Sequence, residues 1–178
     1  MGRAADVARA EDRALLPDEL DGTGLRIGLV RARWNESIVE RLVAGFERGL
    51  LHLGVPASDI VEVSVPGSFE VPMGARVLAR SGAVDAVVTV GCVIRGETTH
   101  YELVSEGAAG GVQHVQLETG VPVAFGLVTV ENRDQALARS QGPGGHNVGE
   151  DAARVAVEMA RLTQRFPAPG TMHGEPGR

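Results

Sequence analysis

Apolar runs and amphipathic segments alternate along most of the chain. Short runs rich in Val, Ile and Leu predict four strands, at residues 25–32, 60–65, 86–94 and 121–130. Between and after these strands, apolar residues at helical spacing predict five helices, at residues 37–53, 69–79, 99–117, 133–139 and 149–165. The third strand, AVVTVGCVI, is apolar nearly throughout, which is typical of a strand that is buried on both faces of its sheet.

Strands that alternate with helices indicate right-handed crossovers and a mostly parallel sheet. We therefore expect an α/β fold, a three-layer α/β/α sandwich with a four-stranded parallel, flavodoxin-like sheet. One domain is expected over residues 23–166, with a flexible polar arm at 1–22 and a disordered Pro/Gly-rich tail at 167–178. Ligands of such open sheets bind beyond the carboxyl ends of the strands, so the segments after each strand are the candidate site.

The segment after the third strand, RGETTH at residues 95–100, changes abruptly from apolar to polar. Thr99 and Glu102 have the spacing of a capping box, which predicts the N-terminus of a helix there. Gly96 allows close approach of the backbone, and free N–H groups together with the helix dipole favour an anion. His100 is suited to proton transfer. These residues alone leave open an ordinary capped helix with an incidental surface histidine.

Two other strand ends offer candidate contacts, each with an ordinary structural alternative. Trp34, the only tryptophan, follows the first strand, where its indole could stack on a flat heterocycle or fill a core or interface position. The segment PGSFEVP at residues 66–72 follows the second strand, so Ser68, Phe69 and Glu70 could face a ligand. A Pro-Gly turn before a helix is also ordinary helix initiation.

The composition argues against several classes of protein. With 43% hydrophobic and 22% charged residues among 178, the chain has an ordinary globular composition, and no apolar stretch approaches the ~20 residues of a membrane helix. The net charge of −6 argues against a nucleic-acid partner. Cys92, the only cysteine, is interpreted as a buried structural residue near the site. A single cysteine excludes an internal disulfide, so a cytoplasmic location is expected.

Several kinds of chemistry find no support in the sequence. All 17 basic residues are arginine, so no lysine is available for a Schiff base with a carbonyl substrate. The histidines show no metal-ligand spacing, and no metal site is expected. The Gly-rich loop GPGGHNVGED at residues 142–151 has neither a P-loop lysine nor GxGxxG spacing. We therefore expect no cofactor.

Ordered blocks of the sequence are similar to one known family. Over about residues 22–165 the chain resembles the 6,7-dimethyl-8-ribityllumazine synthases, through the blocks RWN, PGSFEVP, GCVIRGETTHY, VAFGLVTVEN, QALAR and HNVGED. The resemblance implies a transferase of riboflavin biosynthesis. It would condense 5-amino-6-(D-ribitylamino)uracil with 3,4-dihydroxy-2-butanone 4-phosphate to the lumazine, with loss of phosphate and water. The amine of the pyrimidine substrate would form the imine, so the absence of lysine is no obstacle.

The resemblance also implies roles for individual residues. His100 would move protons, and Arg139 of a neighbouring subunit would hold the phosphate. Trp34 would stack on the pyrimidine ring. Other contacts to the ring and the ribityl chain are implied for Asn35, Ser68, Phe69, Glu70, Cys92, Val93, Ile94 and, from a neighbour, Phe125. Phosphate contacts are implied for Gly96, Glu97, Thr98, Thr99, Arg139 and His146.

One block departs from the pattern of many bacterial members, which carry a lysine before the last helix. Val148 aligns with that lysine, HNVGED looks more like the fungal form, and His146 is the candidate substitute. Family members form pentamers and sixty-subunit shells. The turn SQGPGGHN at residues 140–147 is one residue longer than the turn of shell-forming members and lacks its lysine. This difference predicts a pentamer, with a dimer of pentamers as the next alternative.

Two further expectations follow from the resemblance. Riboflavin synthase is a candidate partner, alongside the small-molecule substrates. The alternative to an enzyme is a paralogue that binds flavin or lumazine for storage or sensing, which the stacking ability of Trp34 would favour. The presence of His100 and Arg139 argues for the enzyme.

Overall fold

The computed structural model describes residues 20–166, which form a four-stranded sheet between two layers of helices. The strands are β1 (Ile27–Ala32), β2 (Ile60–Val65), β3 (Ala86–Ile94) and β4 (Val123–Val130). All pairings are parallel, and the strand order is β2-β1-β3-β4. The predicted three-layer sandwich with a flavodoxin-like sheet is therefore confirmed.

Five helices connect or follow the strands. They are α1 (Glu36–His52), α2 (Val71–Arg80), α3 (His100–Thr119), α4 (Arg133–Ala138) and α5 (Val148–Arg165). Helices α1, α4 and α5 cover one face of the sheet, and α2 and α3 cover the other. Within residues 20–166, no helix has the length and apolar character needed to cross a membrane.

The central strand β3 shows why its sequence is apolar throughout. Val88 and Val90 pack with α1 and α5, whereas Val87 packs with α2 and α3 on the opposite face. Successive side chains of a strand point to opposite faces, so a strand covered on both sides needs an unbroken apolar run. The same placement leaves only the carboxyl end of β3 accessible, where Val93 and Ile94 become partly exposed.

Glycines of α3 allow a close contact with the segment that leads into α2. A Cβ at Gly107 would lie 2.8 Å from the ring of Phe69, and a Cβ at Gly111 would lie 2.5 Å from the ring of Pro72. Both distances are shorter than carbon atoms tolerate, so only glycine lets α3 approach this segment. The glycines thereby set one wall of the crevice beyond the sheet.

The capping box predicted at Thr99 and Glu102 is wrong, although the helix does begin there. Thr99 stands at the N-cap of α3, but its side chain makes no capping hydrogen bond. The carboxylate of Glu102 pairs instead with the guanidinium of Arg95, because a bond between opposite charges is stronger than one to a neutral N–H. The carboxylate half of a capping box is found instead before α2, where the Gly67 N–H donates to the Glu70 carboxylate at 2.9 Å.

The start of α2 also differs from its prediction. Residues Ser68–Glu70 form a 3-10 turn, and the α-helix begins at Val71 rather than at residue 69. The hydrogen bond from the Gly67 N–H to the Glu70 carboxylate holds residues 68–70 in this turn. A 3-10 turn is wound more tightly than an α-helix, so the α-helix starts only after it. Other element ends lie within about two residues of their predictions, which is the ordinary uncertainty of helix and strand ends.

The predicted terminal segments fall largely outside the described residues, namely 1–19 and 167–178. Residues 20–22 of the predicted arm are described, and they are attached to the body of the fold. The Gly22 N–H donates to the Leu53 carbonyl at 2.7 Å, and the Arg161 Nε donates to the Asp21 carbonyl at 2.8 Å. The structure adds these three residues to the folded part, and the rest of the predicted division stays a prediction.

The turn between α4 and α5 is closed by a buried asparagine. Asn147 is 2% exposed and donates from Nδ2 to the carbonyls of Arg41 and Gln141, each at 2.9 Å. Its Oδ1 accepts from the N–H groups of Gly149 and Glu150 and caps α5. The long turn predicted from SQGPGGHN is therefore ordered at its end, and Asn147 sets the direction in which α5 leaves it.

Candidate active site

A cavity of about 640 Å³ opens at the carboxyl end of the sheet. Its walls come from the segments after β1 and β2, the end of β3 and the first turns of α3. The lining residues are Trp34, Asn35, Gly67, Ser68, Phe69, Glu70, Cys92, Val93, Ile94, His100, Leu103 and Val104. Parallel strands end at the same edge of a sheet, which is why segments far apart in the sequence meet here.

Asn35 joins the ends of β1 and β3 across the cavity. It is the only non-glycine residue with a positive φ among those described, at 59°, in the left-handed region that asparagine tolerates better than most residues. Its Nδ2 donates to the Cys92 carbonyl at 2.8 Å, so the side chain does not cap its own helix. Such a conformation at a cavity is typical of a functional position.

Trp34 is 74% exposed, which excludes the core position that its sequence left open. Its backbone N–H donates to the Pro66 carbonyl at 3.3 Å. The edge of the indole lies close to Gly67, where a Cβ would meet Trp34 Cδ1 at 3.2 Å. The backbone thus fixes the tryptophan at the cavity mouth while leaving aromatic surface for a flat partner.

The segment Ser68–Glu70 presents polar groups to the cavity. Ser68 is 5% exposed, and its hydroxyl lies against β3, where a Cβ at Gly91 would come within 2.9 Å of Oγ. Glu70 is oriented by its bond from the Gly67 N–H. Phe69 is exposed but rests on α3. A hydroxyl and a carboxylate therefore lie along one wall, a suitable arrangement for a polyhydroxylated chain.

Cys92 lies at the floor of the cavity as a buried strand residue. It is 2% exposed, and burial raises the pKa of its thiol to about 11, an effect that the positive charge of Arg133 only partly offsets. The thiol is therefore protonated near neutral pH and is a poor nucleophile. Its contribution is shape and its backbone carbonyl, not covalent chemistry.

The loop of residues 96–99 leads from the cavity to α3, and all four residues are exposed. Within residues 20–166, none of its four backbone N–H groups donates a hydrogen bond to the protein. The loop runs into the N-terminus of α3, a helix of 20 residues whose dipole is positive at this end. Free N–H groups at such a helix start can receive an anion. His100 follows immediately and lines the cavity.

Arg95 at the base of this loop is held by acidic neighbours. The hydrogen bond to Glu102, and then that to Glu131, raise the pKa of Arg95 above its ordinary value. The same bond to Arg95 lowers the pKa of Glu102. Arg95 and Glu102 are therefore both ionised at neutral pH. The positive charge nearest the loop is already paired.

Three residues implied by the family resemblance lie away from the cavity of their own chain. Phe125 is 40% exposed on β4. Arg139 follows α4 and donates from Nη1 to the Gln135 carbonyl at 3.1 Å. His146 Nε2 lies 3.1 Å from a carboxylate oxygen of Asp151. One chain therefore assembles the cavity but does not bring these three residues to it.

The structure adds residues that sequence analysis missed. Leu103 and Val104 line the cavity from α3, three and four positions after His100 and so on the same helix face. That spacing was the signal that could have identified them. Gly67 is added because its backbone bridges Trp34 and Glu70. Between residues 20 and 166, no group of three His, Cys, Asp or Glu side chains is placed to hold a metal ion.

Comparison with known proteins gives a consistent result over nearly the whole described chain. The sequence model of the 6,7-dimethyl-8-ribityllumazine synthase family matches residues 24–164. The protein of that name from Paracidovorax citrulli (strain AAC00-1) is 48% identical over 149 residues, which cover 84% of this chain and 94% of the relative. Another from Cupriavidus pinatubonensis (strain JMP 134 / LMG 1197) is 45% identical over 151 residues, covering 85% and 87%. The chain therefore belongs to the 6,7-dimethyl-8-ribityllumazine synthase family.

Proposed function

We propose that this protein is the transferase that forms 6,7-dimethyl-8-ribityllumazine in riboflavin biosynthesis. It condenses 5-amino-6-(D-ribitylamino)uracil with 3,4-dihydroxy-2-butanone 4-phosphate and releases phosphate and water. The observation that carries the proposal is the cavity at the sheet edge, in a chain of this family. That cavity combines an exposed indole, a polar wall and a histidine beside a loop of free N–H groups.

The pyrimidine binds on the indole of Trp34. The ring stacks on the exposed aromatic face, and Asn35 with the backbone of Val93 and Ile94 meets its polar edge. The ribityl chain runs along Ser68 and Glu70: the Ser68 hydroxyl donates to or accepts from its hydroxyls, and the Glu70 carboxylate accepts from them. Support comes from the position of these groups around one cavity and from the fixed orientation of Glu70.

The phosphate of the second substrate binds at the loop Gly96–Thr99. The free N–H groups and the start of α3 supply the donors, and Arg139 of a neighbouring subunit supplies the positive charge. Val148 carries no charge where many bacterial relatives have lysine. His146 of the neighbour lies two residues before that position and is the remaining basic side chain there.

The reaction proceeds without a covalent enzyme intermediate. The chain has no lysine, and the raised pKa of Cys92 keeps its thiol protonated. The amine of the pyrimidine attacks the carbonyl of the butanone phosphate, and water leaves to give the imine. His100 moves the protons of this step and of phosphate elimination, which contributes about 10²–10⁴-fold. Holding two substrates in one cavity supplies the larger part of the rate enhancement.

The active unit is a ring of five chains in the cytoplasm. Two separate surfaces of the chain expose large apolar side chains, one on α2 and α3 and one on β4 and α5. The first includes Met73, Val77 and Leu103, and the second includes Phe125, Val155 and Met159. Two different surfaces that cover each other form a head-to-tail interface, which gives a ring where the rotation between neighbouring chains closes. Riboflavin synthase, which consumes the product, is the proposed protein partner.

Two measurements test the proposal. Purified protein is incubated with both substrates, and lumazine is measured by absorbance together with released phosphate. We expect the two products to appear at equal rates. Tight binding of lumazine or riboflavin without turnover would support the storage or sensing alternative instead.

Light scattering tests the assembly: the mass of five chains is expected, and a mass near sixty chains would contradict the ring.

A further inference from the structure

Arg95 occupies a junction between three elements at the edge of the proposed active site. It is the first residue after β3, and its backbone N–H donates to the Val130 carbonyl at the end of β4, at 2.9 Å. Its side chain extends over the first turn of α3. The loop Gly96–Thr99 therefore starts directly after Arg95 and ends at the helix turn that the Arg95 side chain contacts.

Three side chains hold the guanidinium in place. Its Nη1 donates to the Glu102 carboxylate in the first turn of α3. Its Nε lies 2.7 Å from a carboxylate oxygen of Glu131, just after β4, and forms an ion pair with it. Its Cζ lies 4.1 Å from the centre of the Tyr101 ring, a cation–π distance. Only the planar fork of arginine makes these contacts together.

We propose that Arg95 is a positioning residue for the phosphate-binding loop. Because Arg95 pairs with Glu102 in α3 and with Glu131 after β4, it fixes the distance between the two ends of the loop. The N–H groups of Gly96–Thr99 then stay in the geometry that receives a phosphate. The inference rests on the proposed function, since it assigns the part of Arg95 in the same site.

A direct contact of Arg95 with the phosphate is not required by this arrangement. The guanidinium is already paired with two carboxylates, so the three side chains together carry one negative charge. Such a group does not attract an anion. Its effect on phosphate binding has to pass through the backbone that it orders.

The loop itself contains few contacts that would order it. Among residues 20–166, the hydrogen bonds that involve it are from Leu103 N–H to the Thr99 carbonyl at 3.3 Å and from His100 N–H to Thr98 Oγ1 at 3.4 Å. Thr99 makes no side-chain cap. A donor array that is not preorganised loses affinity when the ligand has to order it. The contacts of Arg95 supply that order from outside the loop.

The first test replaces Arg95 in the full-length protein. For Arg95→Gln we expect the KM for the butanone phosphate and the inhibition constant of inorganic phosphate to rise roughly tenfold. The kcat and the affinity for the pyrimidine should change by less than about twofold. Arg95→Lys keeps the charge but lacks the fork, so it should not restore phosphate binding.

A matched control distinguishes positioning from a general loss of stability. Arg48 pairs with Glu150 between α1 and α5 and has a side-chain exposure of 30%, close to the 35% of Arg95. Arg48→Gln should leave both substrate affinities unchanged. Equal effects of the two substitutions on phosphate affinity, or full rescue by Arg95→Lys, would overturn the proposal.

Glu131→Gln gives a second test, in which the direction of the change in phosphate affinity distinguishes electrostatics from positioning. This change removes a negative charge near the phosphate, so electrostatics alone predicts tighter phosphate binding. The positioning role predicts weaker binding, because Arg95 loses one of its anchors. Tighter binding would overturn the proposal. If the wild-type protein showed no condensation, the proposed function would fail, and the inorganic phosphate affinities would still decide the role of Arg95.

Discussion

At the scale of single residues, the side chains that line the cavity differ in how firmly hydrogen bonds hold them. Asn35 and Glu70 are held by hydrogen bonds to the backbone, so their side chains are fixed before a ligand arrives. Within residues 20–166, the ring of His100 makes no hydrogen bond, and the residue lines the cavity. A ring without fixed partners suits a group that accepts and returns protons.

Replacement of His100 by alanine tests this division. We expect the kcat to fall by about one to two orders of magnitude, because proton transfer is lost while the two substrates are still held together. Binding of the pyrimidine, followed by the fluorescence of the single Trp34, should stay within about twofold. Unchanged turnover in the variant would remove His100 from the chemistry.

The burial of Cys92 predicts a pH dependence of stability. The pKa of the thiol is raised from 9.0 to about 11 in the folded state. The unfolded chain therefore loses this proton first, and the stabilisation is fully present below pH 9 and decreases as pH rises towards 11. The difference between these two pKa values corresponds to about 2–3 kcal/mol in the free energy of unfolding.

The check is the thermal unfolding midpoint of the wild type and of Cys92→Ala between pH 8 and 11, at one protein concentration. The midpoint of the wild type should fall more steeply above pH 9 than that of the variant. Parallel curves for the two proteins would show that the thiol is not responsible.

At the scale of the elements, β3 illustrates what a sequence can predict. Its bounds, 86–94, agree with the prediction because a central strand between two helix layers needs an unbroken apolar run. The bounds of β2 agree as well. The N-terminus of α3 was predicted for a partly wrong reason, since Glu102 pairs with Arg95 rather than with the helix start. A local motif does not reveal a competing partner that arrives through tertiary structure.

The same limit applies to the candidate site. The motifs identified the residues around Trp34, Ser68 and His100, because each follows a strand and strand ends converge in a parallel sheet. Leu103 and Val104 were missed because an apolar pair on a helix face looks like ordinary core. The partners of Arg95 come from α3 and from the end of β4, and no spacing in the sequence indicates that contact.

Adjacent glycines of α3 give a test of its packing. A Cβ at Gly111 would lie 2.5 Å from Pro72, whereas nothing lies within 4 Å of a Cβ at Gly110. Gly111→Ala should therefore destabilise the protein by about 1–3 kcal/mol through overpacking. Gly110→Ala should stabilise it by about 0.5–1 kcal/mol, because alanine favours the helix. Chemical denaturation of both variants is the measurement, and the same sign for both would contradict the packing described for α2 and α3.

At the scale of the whole molecule, the proposed site draws on two chains. The cavity is lined from the ends of β1, β2 and β3 and from α3, while Phe125 and Arg139 lie on another part of the chain. In the proposed ring, the β4 and α4 side of the next chain would face each cavity. Activity should then depend on two chains at a time, His100 from one and Arg139 from its neighbour.

Mixing of two impaired variants tests this central claim most directly. His100→Ala and Arg139→Ala chains are unfolded together in equal amounts and refolded, and turnover of both substrates is measured. Random assembly places an intact cavity beside an intact Arg139 at about a quarter of the sites, so about a quarter of the wild-type activity should return. A mixture of His100→Ala with Glu70→Ala, both on the cavity side, should gain nothing. A mixture of the first pair that stays as inactive as its components would contradict a site shared between subunits.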